Sequence, residues 1–322
     1  MQYYFAPLEG LTDSVYRALH HKYFPGVDRY YTPFFSPTVH RQLTPRESRE
    51  LPPADSLDAC VIPQLLTKVA DDFIWMAHQC KDLGYEEVNL NLGCPSGTVT
   101  AKGKGSGMLR NTEELDCFLE QIYANSPLPI SIKTRIGFTS PEEFPKLLEI
   151  FNQYPVCQLI VHPRVRSAFY AGTTDMEAFD LAVKTSNAPV CYNGDLKSLS
   201  QAQAIANQYP EVNSVMIGRG LIADPGMLTA GGTTIAQLEA FYNELTDACI
   251  ASYGGARNAM FRMKEHWGML QHSFEGGEKL FKALRKTTDL NEYRHLTQQI
   301  FSTLSLKNND EKKPEMQCIS GF

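Results

Sequence analysis

Cys94 lies in the run Glu87-Val88-Asn89-Leu90-Asn91-Leu92-Gly93-Cys94-Pro95. Val88, Leu90 and Leu92 alternate with Asn89 and Asn91, the period-2 pattern of a strand, and Gly93 and Pro95 end that strand around a thiol. A cysteine is thereby set at the C-terminal mouth of a strand. A free cysteine on its own is most often a small buried apolar group. This one is followed by residues 96–107, which carry Lys102 and Lys104, four glycines and no bulky apolar side chain beyond Val99. Such a composition suits a mobile lid over an anionic or nucleotide-like substrate. The other cysteines, Cys60, Cys80, Cys117, Cys157, Cys191, Cys249 and Cys318, form no CxxC pair and no metal-ligand spacing, and mostly interrupt apolar stretches. They read as core or tail thiols of a reducing, cytoplasmic compartment, with no metal expected.

The elements that must carry Cys94 alternate along the chain. Strand patterns cover residues 3–7, 29–34, 59–66, 87–92, 129–136, 158–162, 189–193 and 214–217, with helical patterns at 69–83, 112–124, 141–154, 176–186 and 198–209. Eight strands with intervening helices predict an α/β fold, the (β/α)8 TIM barrel. A doubly wound sheet competes, but no GxGxxG follows the first strand, and the glycines after Cys94 cannot be laid on a P-loop.

In a barrel, polar residues at strand ends face the site. Here strand three ends near Gln64, strand four near Asn91 and Cys94, strand five carries Lys133 and Arg135, and strand six carries His162 and Arg164. Strands seven and eight end in the turns Asn193-Gly194-Asp195 and Gly218-Arg219-Gly220. The last two turns stand where barrels hold a phosphate, with glycines for close backbone approach and Arg219 for charge. Gln64, Asn91 and Lys133 suit the polar edge of a flavin, the lysine placing positive charge beside a reduced, electron-rich ring.

With 322 residues the chain is long enough for one large domain and a smaller appendage. No apolar stretch approaches a membrane span, and Met1-Gln2-Tyr3-Tyr4-Phe5 runs into a strand without a basic leader, so no membrane partner is expected. A net charge of −6 argues against non-specific coating of nucleic acid but leaves room for a local basic face.

Taken in order, Ala6-Pro7-Leu8-Glu9-Gly10-Leu11-Thr12-Asp13, Asn91-Leu92-Gly93-Cys94-Pro95, Lys133-Thr134-Arg135, His162-Pro163-Arg164 and the two glycine turns resemble the tRNA-dihydrouridine synthase family, over residues 6 to about 286. The resemblance implies an FMN-dependent barrel over 1–233 and a helical-bundle RNA-binding domain over 234–306. It implies reduction of the C5–C6 double bond of particular uridines in tRNA with NADPH, in a monomer. Flavin N5 would give a hydride to C6 and Cys94 a proton to C5. A thiol is mostly protonated at neutral pH, where a carboxylate is ionised, so its ordinary or raised pKa suits an acid. By the same resemblance Pro7, Leu8, Glu9, Gln64, Asn91, Lys133, His162, Asn193, Gly194, Asp195, Gly218 and Arg219 would hold FMN. Arg135, Arg164, Arg166, Lys102 and Lys104 would meet the RNA. Pro163 stands where glycine or alanine is usual, Val165 where threonine is, and Leu8 where methionine is; proline fixes φ and removes an N–H beside Arg164.

After Gly231-Gly232 the strand patterns stop, and 235–253, 257–272, 277–287 and 291–304 read as helices. Between 257 and 286 stand Arg257, Arg262, Lys264, Lys279, Lys282, Arg285 and Lys286 against three glutamates, interleaved with Phe261, Trp267, Phe274 and Phe281. A solvated basic face over an aromatic core would look the same. Arg262 to Trp267 and Lys282 to Arg285 resemble the family's RNA-docking helices, and a basic face on an acidic chain is what phosphate recognition needs. Residues 307–322 are polar and read as a disordered tail. Three other activities fit parts of the pattern: a flavoenzyme acting on a free pyrimidine, like dihydroorotate or dihydropyrimidine dehydrogenase, a dihydrouridine synthase acting on rRNA, or a non-catalytic RNA-binding protein.

Overall fold

Pro63 splits one strand of the sheet in two, and the sheet closes through it. In the computed structural model, which describes residues 1–37 and 40–307, the strands are β1 (Gln2–Phe5), β2 (Arg29–Tyr31), β3 (Val61–Ile62), β4 (Gln64–Leu65), β5 (Val88–Leu92), β6 (Ile130–Arg135), β7 (Leu159–His162), β8 (Val190–Tyr192) and β9 (Ser214–Ile217). They run in the order β3-β2-β1-β9-β8-β7-β6-β5-β4, every pairing parallel. β3 pairs with β2 and β4 with β5, so the two halves on either side of Pro63 act as one barrel strand. Proline has no N–H for the ladder. Its carbonyl still accepts from Asn89 N at 2.8 Å, and Thr32 bridges the gap, giving its N–H to Ile62 O (3.0 Å) and accepting Gln64 N–H on Oγ1 (2.9 Å). The architecture is the eight-fold barrel expected from the strand–helix alternation.

Period 2 divides the apolar residues into two clusters. Tyr4, Ala6, Tyr31, Ile62, Ile160, Cys191 and Met216 pack together inside the barrel, while Phe5, Tyr30, Val61, Leu65, Val88, Leu90, Ile132, Val161, Val215 and Ile217 face the helical layer. On β4 to β6 the inward positions are instead polar: Gln64, Asn89, Asn91, Ser131, Lys133 and Arg135. One side of the barrel interior is thus greasy and the other is wired with hydrogen bonds.

The helix Ser14–Tyr23 between β1 and β2, which the sequence patterns did not reveal, is capped by Asp13, whose carboxylate accepts Tyr16 N–H at 2.9 Å. Its buried face is made of Tyr16, Arg17 and His20 rather than aliphatic residues. After β9 come the short helix Arg219–Ala223 and then, among the described residues, four longer α-helices: Ile235–Ser252, Ala256–Leu270, Glu278–Lys286 and Leu290–Thr303. Their aromatic core centres on Trp267, with Tyr242 at 5.2 Å and Phe301 at 5.4 Å, and Trp267 donates its indole N–H to Tyr293 (3.0 Å). It joins the barrel where Phe241 sits edge-on to Tyr16 (5.5 Å) and Phe24 (5.2 Å), and where His266 stacks on Tyr16 (4.8 Å). Among the described residues no helix is long and apolar enough to cross a membrane. The expected tail lies, from residue 308, outside the described residues. Cys60 and Cys117 prove exposed rather than buried in the core.

Candidate active site

A pocket opens at the C-terminal ends of β1, β6, β7, β8 and β9. Pro7, Leu8, Lys133, His162, Asn193, Gly194, Asp195, Gly218 and Arg219 all line it. Two of these glycines leave little room for a side chain. A Cβ on Gly218 would lie 3.3 Å from Ala6 Cβ, and one on Gly194 would lie 2.6 Å from the Tyr192 hydroxyl. Asn193 fastens one turn to the next strand by donating Nδ2–H to Met216 O at 2.8 Å. Tyr170 and Lys197 also line the pocket. The Tyr170 ring lies under Arg219 (4.6 Å) and near His162 (6.0 Å). Sequence reasoning missed it because an aromatic pair in an irregular loop carries no periodic signal.

The pocket is strongly positive in a chain that is acidic as a whole. Asp195 accepts from Arg219 (2.8 Å) and pairs with Arg164, and these partners hold its carboxyl below the usual range against the opposing effect of burial. Burial, followed by the charges of Arg135, Lys133, Arg164 and Arg219, pushes His162 well below its ordinary pKa, so the ring is neutral. The Lys133 ammonium makes no hydrogen bond or ion pair with another described residue, and burial with the Arg135 charge brings its pKa down to about 8. A cation without a protein partner at a pocket wall suits an anionic or electron-rich ligand. The donor set therefore suits a ligand that carries a phosphate and an electron-rich ring.

Cys94 does not itself line this pocket but stands in a tightly bonded loop within electrostatic reach of Lys133, which does. Asn91 Oδ1 accepts the N–H groups of both Gly93 (3.0 Å) and Cys94 (2.9 Å), and Asn91 Nδ2 donates to Gln64 Oε1 (2.7 Å). Gln64 in turn donates to Asn89 (2.8 Å), and Asn89 to Ser131 (2.9 Å). Ser106, fully buried, donates its hydroxyl to the Cys94 carbonyl at 2.7 Å. Burial raises the thiol pKa above its ordinary value, opposed by the Ser96 N–H and by the charges of Arg135 and Lys133. The thiol is protonated at neutral pH, the state required of an acid.

Several expected contacts are placed elsewhere. Gln64 and Asn91 do not line the pocket, because their amides are engaged in the chain that shapes the Cys94 loop. Glu9 also stays outside it and pairs with Arg46. Arg135, 1 % exposed, turns inward to Gly93 O (3.0 Å) and Val165 O (3.0 Å). The Arg164 side chain, 1 % exposed, donates to Ala171 O (3.2 Å) and Gly172 O (2.6 Å). Pro163 helps place it, since Arg164 N–H closes back on His162 O at 2.7 Å around the proline's fixed φ. Arg166 reaches Pro95 O (3.1 Å) and Thr100 (3.3 Å). All three arginines act as backbone clamps here rather than as outward-reaching charges.

The loop after Cys94 is built rather than featureless: a helical turn spans Gly97–Thr100 and a 3-10 helix spans Gly105–Arg110, with residues 105–109 buried. Lys102 is exposed, and Lys104 donates to Ser36 (2.6 Å). Lys68 lies against Gly103 and, with Lys102, adds to burial in lowering the Lys104 pKa, which makes a second group of cations. Among the basic residues of the helical region, Arg262 is tied to Asp13 and Gly10 O and stacks on Tyr253 (3.9 Å), while Lys264 donates to Thr287 O. Lys279, Lys282, Arg285 and Lys286 are exposed on one amphipathic helix whose buried side is Phe281 and Leu284. Trp267, Phe274 and Phe281 are core residues, whereas Phe261 is 68 % exposed.

The family model for dihydrouridine synthase (Dus) matches residues 4–318. The tRNA-dihydrouridine(16) synthase of Neisseria meningitidis serogroup B is 26 % identical over 309 residues, 90 % of this chain and 92 % of that protein. A probable tRNA-dihydrouridine synthase 1 of a Synechocystis species is 25 % identical over 322 residues, 94 % of this chain and 86 % of that protein. Among solved structures, morphinone reductase superposes with a TM-score of 0.50 at 11 % identity, over 72 % of this chain and 86 % of that one, a likeness of fold.

Proposed function

The chain belongs to the dihydrouridine synthase family, and we propose that it reduces the C5–C6 double bond of specific uridines in tRNA, with FMN as cofactor and NADPH as reductant. The observation that carries this reading is the combination of a protonated, backbone-held thiol at Cys94 with a Lys133 cation, unpartnered among the described residues, at a positive pocket.

Pro7, Leu8, Lys133, His162, Gly194, Gly218 and Arg219 would hold FMN, with Arg219 and the two glycine turns toward its phosphate. When bound, the reduced flavin supplies a hydride to C6 of the uracil. Cys94 Sγ–H then delivers the proton to C5, and the thiolate left behind is stabilised by Arg135 and Lys133 until water returns its proton. Neutral His162 offers a hydrogen bond without adding another positive charge to the pocket. In this reading residues 1–233 perform the chemistry and 234–306 hold the RNA. The exposed Lys279, Lys282, Arg285 and Lys286 meet one stretch of backbone, and Lys68, Lys102 and Lys104 meet the strand near the reduced base. The relatives named for position 16 make that uridine the first to examine.

The test is to incubate purified, FMN-loaded protein with NADPH and unmodified tRNA transcript and to map dihydrouridine by mass spectrometry, with rRNA fragments and free uridine in parallel. Reduction confined to defined tRNA positions is expected. Comparable turnover of free uridine or rRNA would replace this assignment with one of those activities.

A further inference from the structure

Three consecutive carbonyls around the thiol are each held by a different element. Gly93 O accepts from Arg135 Nε at 3.0 Å, Cys94 O from the Ser106 hydroxyl at 2.7 Å, and Pro95 O from Arg166 Nε at 3.1 Å. The first two donors come from the neighbouring strand and from the loop's own return. Arg166 comes from the loop after β7, which also lines the candidate pocket through Tyr170. Its second bond, Nη2 to Thr100 Oγ1 at 3.3 Å, falls on the last residue of the turn Gly97–Thr100, so one guanidinium grips both ends of the segment that follows the cysteine.

Arg166 is itself held firmly. Its N–H donates to Gly137 O (2.9 Å), and its guanidinium lies over the rings of Phe138 (5.2 Å) and Phe169 (4.9 Å). Phe169 has φ +50°, a conformation a bulky residue keeps only where its surroundings over-determine it. The two bonded nitrogens, Nε and Nη2, are both engaged with the Cys94 loop.

We propose that Arg166 is a positioning residue for the Cys94 proton donor, fixing the thiol by clamping Pro95 and Thr100, rather than an RNA contact. The proposal rests on Cys94 being the proton donor. A general acid is effective only when its proton is held close to the line of transfer, and a displacement of about 1 Å costs up to about 100-fold in rate. Arg166 supplies that constraint from the loop that carries Tyr170, so the thiol's place is set by the same segment that borders the pocket.

The experiment compares Arg166→Met, Arg166→Lys, Thr100→Val and Cys94→Ala as FMN-loaded proteins. Single-turnover dihydrouridine formation at saturating tRNA should fall about 10- to 100-fold in Arg166→Met and less in Thr100→Val, with partial recovery in Arg166→Lys, which restores one N–H donor. The tRNA Kd and its salt dependence should stay at wild-type values. The alkylation rate of Cys94, read by peptide mass spectrometry across pH, should shift in Arg166→Met, a readout that needs neither flavin nor RNA. Weakened tRNA binding with an intact rate at saturation would make Arg166 an RNA contact and overturn the proposal, as would a wild-type rate and alkylation profile. If Arg166→Met does not fold, Thr100→Val decides by the same three readouts. Full activity in Cys94→Ala would instead remove the proton-donor reading itself, and is distinguishable because it does not depend on Arg166.

Discussion

Asn91 and Lys133 are register partners across β5 and β6, yet they serve different groups. The Asn91 amide is engaged with Gly93, Cys94 and Gln64. The Lys133 ammonium has no protein partner among the described residues and lines the pocket. Adjacent inward positions on paired strands therefore differ in what they face: one shapes the loop of the thiol, the other presents charge to the pocket.

That division predicts the alkaline side of the pH–rate profile. Lys133, brought to about 8 by burial and by Arg135, carries its charge below that pH and loses it as pH rises through 8. Cys94, pushed up by burial, loses its acidic proton only at higher pH. Activity should thus hold through neutrality, decline near pH 8, and decline again where the thiol ionises. In Lys133→Met the overall rate should fall and the step near 8 should vanish, leaving the higher one. A step near 8 that survives in Lys133→Met would assign it to another group.

Cys94→Ala should retain affinity for FMN and tRNA while dihydrouridine formation falls about 10²–10⁴-fold, because the change removes only the acid. Binding titrations and single-turnover assays separate the two quantities. Wild-type turnover in this variant across neutral pH would exclude the thiol as donor.

The pocket makes a separate prediction for the cofactor. Arg219→Gln should weaken FMN binding about 10- to 100-fold, the usual worth of a charge-assisted hydrogen bond to an anion. Gly218→Val should weaken it by filling the approach, since a Cβ at this position already stands 3.3 Å from Ala6. Titration of apo-protein by flavin fluorescence reads both. Unchanged affinity in both variants would move the cofactor away from these turns.

The barrel was legible because strand runs and helical runs take turns along the chain, and in β5 Asn89 and Asn91 against Val88, Leu90 and Leu92 announce which face is which. The first helix was not, since Tyr16, Arg17 and His20 cover its buried side and give no aliphatic stripe. At the site, sequence reveals which residues stand at strand ends but not which way a long side chain turns. Lys133 faces the pocket, whereas Arg135, two residues on, folds back to Gly93 and Val165. Backbone carbonyls leave no mark in a sequence, so the clamping arginines and the Ser106 bond to Cys94 could not be read from it. The same limit hid the difference between Lys264 and Lys282.

That difference allows the RNA face to be tested without ambiguity. Lys264 donates to Thr287 O at the end of the helix Glu278–Lys286, and Arg262 pairs with Asp13, so changing either loosens the fold. Lys282 and Arg285 are exposed on that helix and enter no ion pair among the described residues. Lys264→Met should lower the melting temperature, at a cost of about 1 kcal/mol for the missing bond, and leave the salt dependence of tRNA binding unchanged. The double reversal Lys282→Glu with Arg285→Glu should leave melting near wild type, weaken tRNA binding, and flatten the log–log salt slope by about 0.7–0.9 for each phosphate no longer neutralised. Measuring both variants side by side by thermal melting and by tRNA affinity across salt separates a structural lysine from a binding one. A wild-type slope in the double reversal would leave RNA recognition to the barrel mouth, where Lys68, Lys102 and Lys104 are the cations positioned to meet it.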